Sequence, residues 1–193
     1  MRVLRLCSIP LFLSAVGLFD QDASASMLVR HMNLQQMCGA AGRIFRGTVL
    51  GTFDGSVAAG GGQLPTVVYQ IRVDESFKGT FELIKGQRIA TLQMLRRAKT
   101  PEIGPLRQLS LVDDLPVFHE GHDYLILATT PSTVGLSTTV GLKQGVFNLT
   151  GKPGQEIAVN GNDNIGLSAG ATAPRGPMPY ASLRSSIRRF LAR

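Results

Sequence analysis

Tryptophan is absent from this chain, and its 193 residues hold only two cysteines, three histidines and three tyrosines. Each shortage removes a class of function. Two cysteines build neither a disulfide framework nor a four-cysteine zinc site. The glycine-rich stretch DGSVAAGGGQLP, 54–65, lacks the Lys-Ser/Thr pair that completes a phosphate-binding loop, so nucleotide binding is not expected. It reads instead as a mobile hairpin tip.

Acidic residues are also in short supply, with a formal charge of +7, and the excess is concentrated. Residues 175–193, RGPMPYASLRSSIRRFLAR, hold five arginines and no acid. A nucleic-acid face spreads basic and aromatic residues over the fold. This chain does not, and no nucleic-acid partner is expected.

The first residues, MRVLRLCSIPLFLSAVGLFDQDASAS, place Arg2 and Arg5 before an apolar run from Leu6 to Phe19 and small residues ending at Ala25. That order predicts a secretory signal peptide, 1–25, cleaved near Ala25. The apolar run, about 14 residues, is shorter than the ~20 a spanning helix needs. No transmembrane segment is therefore expected in the mature chain, which would begin at Ser26 and act outside the cytoplasm, secreted or periplasmic. Cys7 leaves with the leader, so Cys38 stays unpaired. The core alone must hold the fold.

That core reads as β. TVVYQIRVDESF alternates Val67, Tyr69, Ile71 and Val73 against Gln70, Arg72 and Asp74, as a half-buried strand requires. GRIFRGTVLGTF, QRIATLQM, HDYLILATT, VGLSTTV and GVFNLT read as five further strands, separated by Gly, Pro, Asp or Asn. Before them, Leu28, Met32 and Leu34 to Met37 fit a short helix with Asn33 as its cap. After them, Leu183, Ile187, Phe190 and Leu191 form the apolar stripe of an amphipathic helix, 180–193. Its Arg184, Arg188 and Arg193 lie off the stripe. They form either a solvated face or a contact for a membrane or an acidic partner. The predicted organisation is a barrel domain over 26–160, a Gly/Pro-rich connection over 161–179 and the terminal helix.

For chemistry the chain offers PVFHEGHDYLILA, 116–128, with His119, Glu120, His122 and Asp123. A zinc protease needs His-Glu-x-x-His on a helix, so that both imidazoles face the metal. Here the spacing is one residue shorter, Gly121 intervenes, and a strand begins at Tyr124. The pattern reads as a turn, with His119 and His122 as the weak metal candidates and a metal-dependent hydrolase as the alternative function. The long polar insertion 95–115 supplies the loop candidates Arg96, Arg97, Asp113 and Asp114. No cofactor and no enzyme constellation is expected.

Four segments carry a resemblance. MCGAAGRIFRGTVLG (37–51), TVVYQIRVDESFKG (66–79), FHEGHDYLILA (118–128) and VGLKQGVFNLT (140–150) resemble the successive strands of the netrin-like module of tissue inhibitors of metalloproteinases. They are similar also to uncharacterised secreted bacterial proteins with the same strand order. The resemblance implies an OB-like barrel of five to six strands between a short N-terminal helix and the C-terminal helix. It also implies a protein partner outside the cytoplasm, in its sharpest form a secreted protease under regulation. The inhibitors place an N-terminal cysteine on the protease zinc. This chain would begin with Ser26, and Cys38 matches only the cysteine at the helix end. The resemblance thus points to a non-enzymatic binding module that works through its loops; the arginine helix leaves an envelope-associated structural protein as a further alternative.

Overall fold

A computed structural model describes residues 31–59, 61–96, 115–168 and 175–193. The leader, Cys7, Arg97, Asp113 and Asp114 lie outside the described residues. Asn33 opens the first element: its side chain accepts from the Gln36 N–H (2.9 Å) while the Gln36 side chain accepts from the Asn33 N–H (3.0 Å). This capping box starts helix α1 (Leu34–Ala40), which buries Leu34, Met37 and Cys38.

Eight strands follow: β1 (Arg43–Ala59), β2 (Gly62–Lys78), β3 (Glu82–Ile84), β4 (Gln87–Leu95), β5 (Asp123–Ala128), β6 (Val146–Thr150), β7 (Ile157–Asn160) and β8 (Met178–Pro179). A 3₁₀ turn, Leu142–Gly145, precedes β6, and helix α2 (Tyr180–Leu191) ends the chain. The strands form one antiparallel sheet in the order β3-β4-β2-β1-β5-β6-β7-β8. The protein is mainly β, as expected. The predicted five to six strands become eight, and the sheet is not closed into a barrel.

One expected strand is lost and three short ones, β3, β7 and β8, are gained, and two segments depart from their sequence reading. VGLSTTV has the alternation of a strand but contributes only an isolated bridge, Thr139 to Ala128. Its neighbours turn on themselves, with the Gly135 N–H on Ser132 O and the Leu136 N–H on the Ser132 hydroxyl. The stretch 54–65, expected as a hairpin tip, is ladder almost to its end, pairing Asp54 with Val67 through Ala59 with Gly62. Backbone hydrogen bonds carry a ladder whatever the side chains are, so a glycine-rich composition hid this one.

The sheet is covered on both faces. Ile44, Leu125, Leu127, Phe147 and Leu149 meet α1 and α2 in one core, where Leu183 and Ile187 are fully enclosed. The other face carries Phe45, Tyr69, Ile71, Leu92, Tyr124 and Ile126. Among the described residues no helix covers that second face; the sheet coils over it. Two contacts show the coil: the Ser137 N–H reaches Gln93 O of β4 (2.8 Å), and Arg43 Nη1 of β1 reaches Thr91 O (3.2 Å). Both bring the outer edge of β4 back towards β1 and β5, though β1 and β2 separate these strands within the sheet. Inside the coil Phe118 packs edge-on against Tyr69 and Tyr124, at 4.9 and 5.1 Å between ring centres.

Candidate functional site

β1 pairs with β5 only from Arg43 to Thr48. Beyond that its partner is β2 alone, so the two 17-residue strands continue as an arm. Strand pairs share a face. Phe53 lies opposite Val68, Val57 opposite Leu64, and Leu95 opposite Thr66, which puts Phe53, Val57, Leu64 and Leu95 on one side of the arm. Phe53 is 52% exposed, Leu64 41% and Leu95 38%. Asp54 and Arg96 form an ion pair on the opposite side, which is where the loop candidate Arg96 is found.

At the base of the arm sits the turn 119–122. Gly121 adopts φ 77°, and the His122 N–H donates to His119 O at 3.2 Å. This is the tight turn that the spacing predicted. Its backbone continues the β1 edge for one step, with the Gly121 N–H on Val49 O (2.9 Å) and the Val49 N–H on His122 O (3.1 Å). Then a side chain takes over: Glu120 Oε1 accepts from the Thr52 N–H at 2.9 Å. From Asp54 to Ala59 that edge of β1 has no strand partner among the described residues.

The two imidazoles of the turn lie 5.7 Å apart between ring centres, both exposed, and His122 stacks along Tyr124. Glu120 is engaged by Thr52. Among the described residues no group of three or more His, Cys, Asp and Glu side chains is gathered to hold a metal ion. His31 is elsewhere, beside Gly166.

No protein-family model, curated protein or solved structure matches the chain. Its surfaces are read on their own chemistry.

A second polar surface flanks α2. Arg46 follows Ile44 on the helix-covered face of β1 but lies past the end of the apolar contact. Its guanidinium bridges Asp123 (3.3 Å) and Glu156 (3.1 Å) and lies 5.0 Å over the Tyr180 ring. Thr48 donates to Asp123 (2.7 Å) and accepts from Arg72 (3.0 Å), which in turn pairs with Asp74. Glu75 gathers three donors: the Tyr180 hydroxyl (2.8 Å), Arg184 Nε (2.7 Å) and Arg188 Nη2 (2.8 Å). Burial alone raises a carboxyl pKa; here hydrogen bonds from Arg184 and Tyr180 and the charges of Arg184 and Arg188 outweigh it and hold Glu75 below the ordinary carboxylate range. Burial and the same carboxylate push the Tyr180 phenol upwards.

So Arg184 and Arg188, read from sequence as a solvated or partner-facing pair, tie the terminal helix to β2, while both keep exposed surface. Arg193 is exposed at the chain end. Arg88 shares the cleft between Arg46, Asp74 and Arg188 and has no ion pair among the described residues. Sequence reasoning missed Glu75, Tyr180, Arg46 and Glu156, because the pairings span about a hundred positions and no local spacing signals them. It also missed Gly166-Leu-Ser-Ala-Gly170, which has the spacing of a serine-nucleophile elbow. Such an elbow joins a strand to a helix. Ser168 follows a run of turns instead, and no hydrogen bond links it to an imidazole among the described residues.

Proposed function

We propose that this protein is an exported, non-enzymatic binding module whose contact surface is the β1–β2 arm. The observation that carries the reading is an exposed apolar face on a strand pair with an open edge: Phe53, Leu64 and Leu95 in solvent beside the unpartnered residues from Asp54 to Ala59. Exposed apolar patches bounded by polar residues are where proteins meet other proteins, and an open edge accepts a further strand. The leader pattern supports a place outside the cytoplasm. No helix among the described residues is long and apolar enough to cross a membrane.

The netrin-like reading draws support from the pairing of β1 with both β2 and β5 and from the coil that brings Ser137 to β4. On that reading the partner is a secreted protease and the protein its regulator. The test is a titration of the purified protein against a panel of secreted zinc endopeptidases, following residual activity, with Phe53→Asp as the comparison. Stoichiometric inhibition that weakens at least tenfold in Phe53→Asp, at unchanged melting temperature, is the expected result. Indifference across the panel withdraws the protease. Inhibition that Phe53→Asp leaves untouched withdraws the arm.

A further inference from the structure

Away from both the arm and the arginine groove, a pocket of about 250 Å³ opens between the start of α1, the turns that follow β7 and the second half of α2. Its floor is apolar: Leu34 belongs to the core, and Leu167, Met178 and Phe190 pack against that core while keeping exposed surface. Among the residues lining it, one is charged. Arg189 lines the pocket and, unlike Arg46, Arg72, Arg184 and Arg188, it has no carboxylate partner among the described residues; its guanidinium lies over the ring of Phe190, 5.3 Å from the centroid. Among the described residues no aspartate or glutamate lines the cavity. The amide of Asn164, also in the wall, is already engaged, donating to Ala158 O (2.9 Å) and Gly176 O (2.8 Å). The wall is therefore rigid on that side and adds no competing donor.

A cavity with an apolar floor and an unmatched guanidinium selects a ligand with a hydrocarbon body and one anionic end. Arginine favours a planar carboxylate, which it meets with two parallel hydrogen bonds. The volume falls below the ~300–1,000 Å³ of sites for drug-sized ligands, which limits the body to a short chain. We propose that this pocket binds an aliphatic monocarboxylate of medium chain length, its chain against Leu34, Leu167 and Met178 and its carboxylate on Arg189.

Octanoate is the probe, titrated into the purified protein by calorimetry and followed by the methyl NMR signals of Leu34, Leu167 and Met178, with 1-octanol and acetate for comparison. The expected result is saturable octanoate binding with a Kd on the order of 0.1–1 mM, as about ten non-hydrogen atoms give at ordinary ligand efficiency. Acetate, which has the charge without the body, binds far more weakly. Arg189→Gln weakens octanoate about tenfold and leaves 1-octanol unchanged, the size expected for one charge-assisted contact near solvent. Ser186→Trp, which fills the pocket from α2 without touching the core, abolishes binding of both at unchanged melting temperature. The proposal is overturned if octanoate does not saturate, if the methyl shifts fall elsewhere, if 1-octanol binds as tightly as octanoate, or if Arg189→Gln has no effect.

Discussion

Replacing Glu75 with alanine isolates the contact that fastens α2 to the sheet. Three donors lose their acceptor at once. The Tyr180 hydroxyl is buried, and a buried donor left without a partner costs about 1–3 kcal/mol. Arg184 and Arg188 are half-exposed, so each of their ion pairs contributes only about 0.2–1 kcal/mol. Together the substitution should destabilise by about 2–4 kcal/mol, or a fall of about 5–15 °C in melting temperature for a domain of this size. Thermal unfolding by circular dichroism reads it directly, since no tryptophan is available for fluorescence. Tyr180→Phe removes the hydroxyl alone, and in that background Glu75→Ala should cost less, because the orphaned donor is gone. A pH series tests the charge. The folded carboxyl titrates below its unfolded value, so its contribution is complete above the unfolded value and disappears as pH falls through the folded one. The gap between wild type and Glu75→Ala should be constant from pH 6 to 8 and close below about pH 4. A loss under about 0.5 kcal/mol, strict additivity with Tyr180→Phe, or a gap that widens on acidification would refute the reasoning.

Three further predictions concern packing and reactivity. A methyl added at Gly47 would stand 2.2 Å from the Arg72 carbonyl oxygen, a backbone atom that cannot step aside, so Gly47→Ala should lower the melting temperature by about 3–10 °C; a change under 1 °C would mean that β1 and β2 separate more easily than their register implies. Leu183→Ala, in the fully buried centre of α2, should cost about 2–5 kcal/mol in urea unfolding, and deletion of residues 180–193 should leave an insoluble or unfolded chain. A soluble, folded deletion variant would show that the helix is not part of the core. Burial pushes the Cys38 thiol up to about 11 despite nearby Lys78, so native protein carrying Cys7→Ser should be inert to a disulfide reagent at pH 8 and react fully on unfolding; rapid reaction in the native state would contradict that burial.

The elements that were legible in the sequence are those whose signals are local. Asn33 was expected as a cap, and α1 begins directly after it, with Gln36 completing the capping box; Met32, expected on that helix, precedes it. The alternation from Val67 to Val73 marked β2, and the spacing of Leu183 and Ile187 marked α2, because each pattern reports a single element's own buried face. Where the outcome depended on a distant partner, the sequence misled. VGLSTTV alternates as well as any strand, yet its first residues close a turn on Ser132 and its last ones make a single bridge to the end of β5, with the Thr129 N–H on Thr138 O and the Val140 N–H on Leu127 O. The arm was hidden for the opposite reason: Gly55 and Gly62 look like loop, while their backbones pair in the ladder. Gly61, at φ 79°, makes the turn at the tip, and a side chain at Gly55 would crowd Thr66 Oγ1 at 2.7 Å. Of the site, the turn at Gly121 could be read and Glu75 could not, since its arginine partners lie 109 and 113 residues away.

β5 has no outward face. Along DYLILA, Leu125 and Leu127 belong to the core beneath the helices, whereas Tyr124, Ile126 and Ala128 belong to the core inside the coil. β1 is divided in the same way between Ile44 and Phe45. Neither core can loosen without pulling on a strand that the other also holds. The two should therefore melt as one cooperative unit, with no intermediate in which the helices have come away and the coiled sheet persists. Among the described residues Cys38 is a free thiol, and that mutual dependence takes the place of a covalent staple.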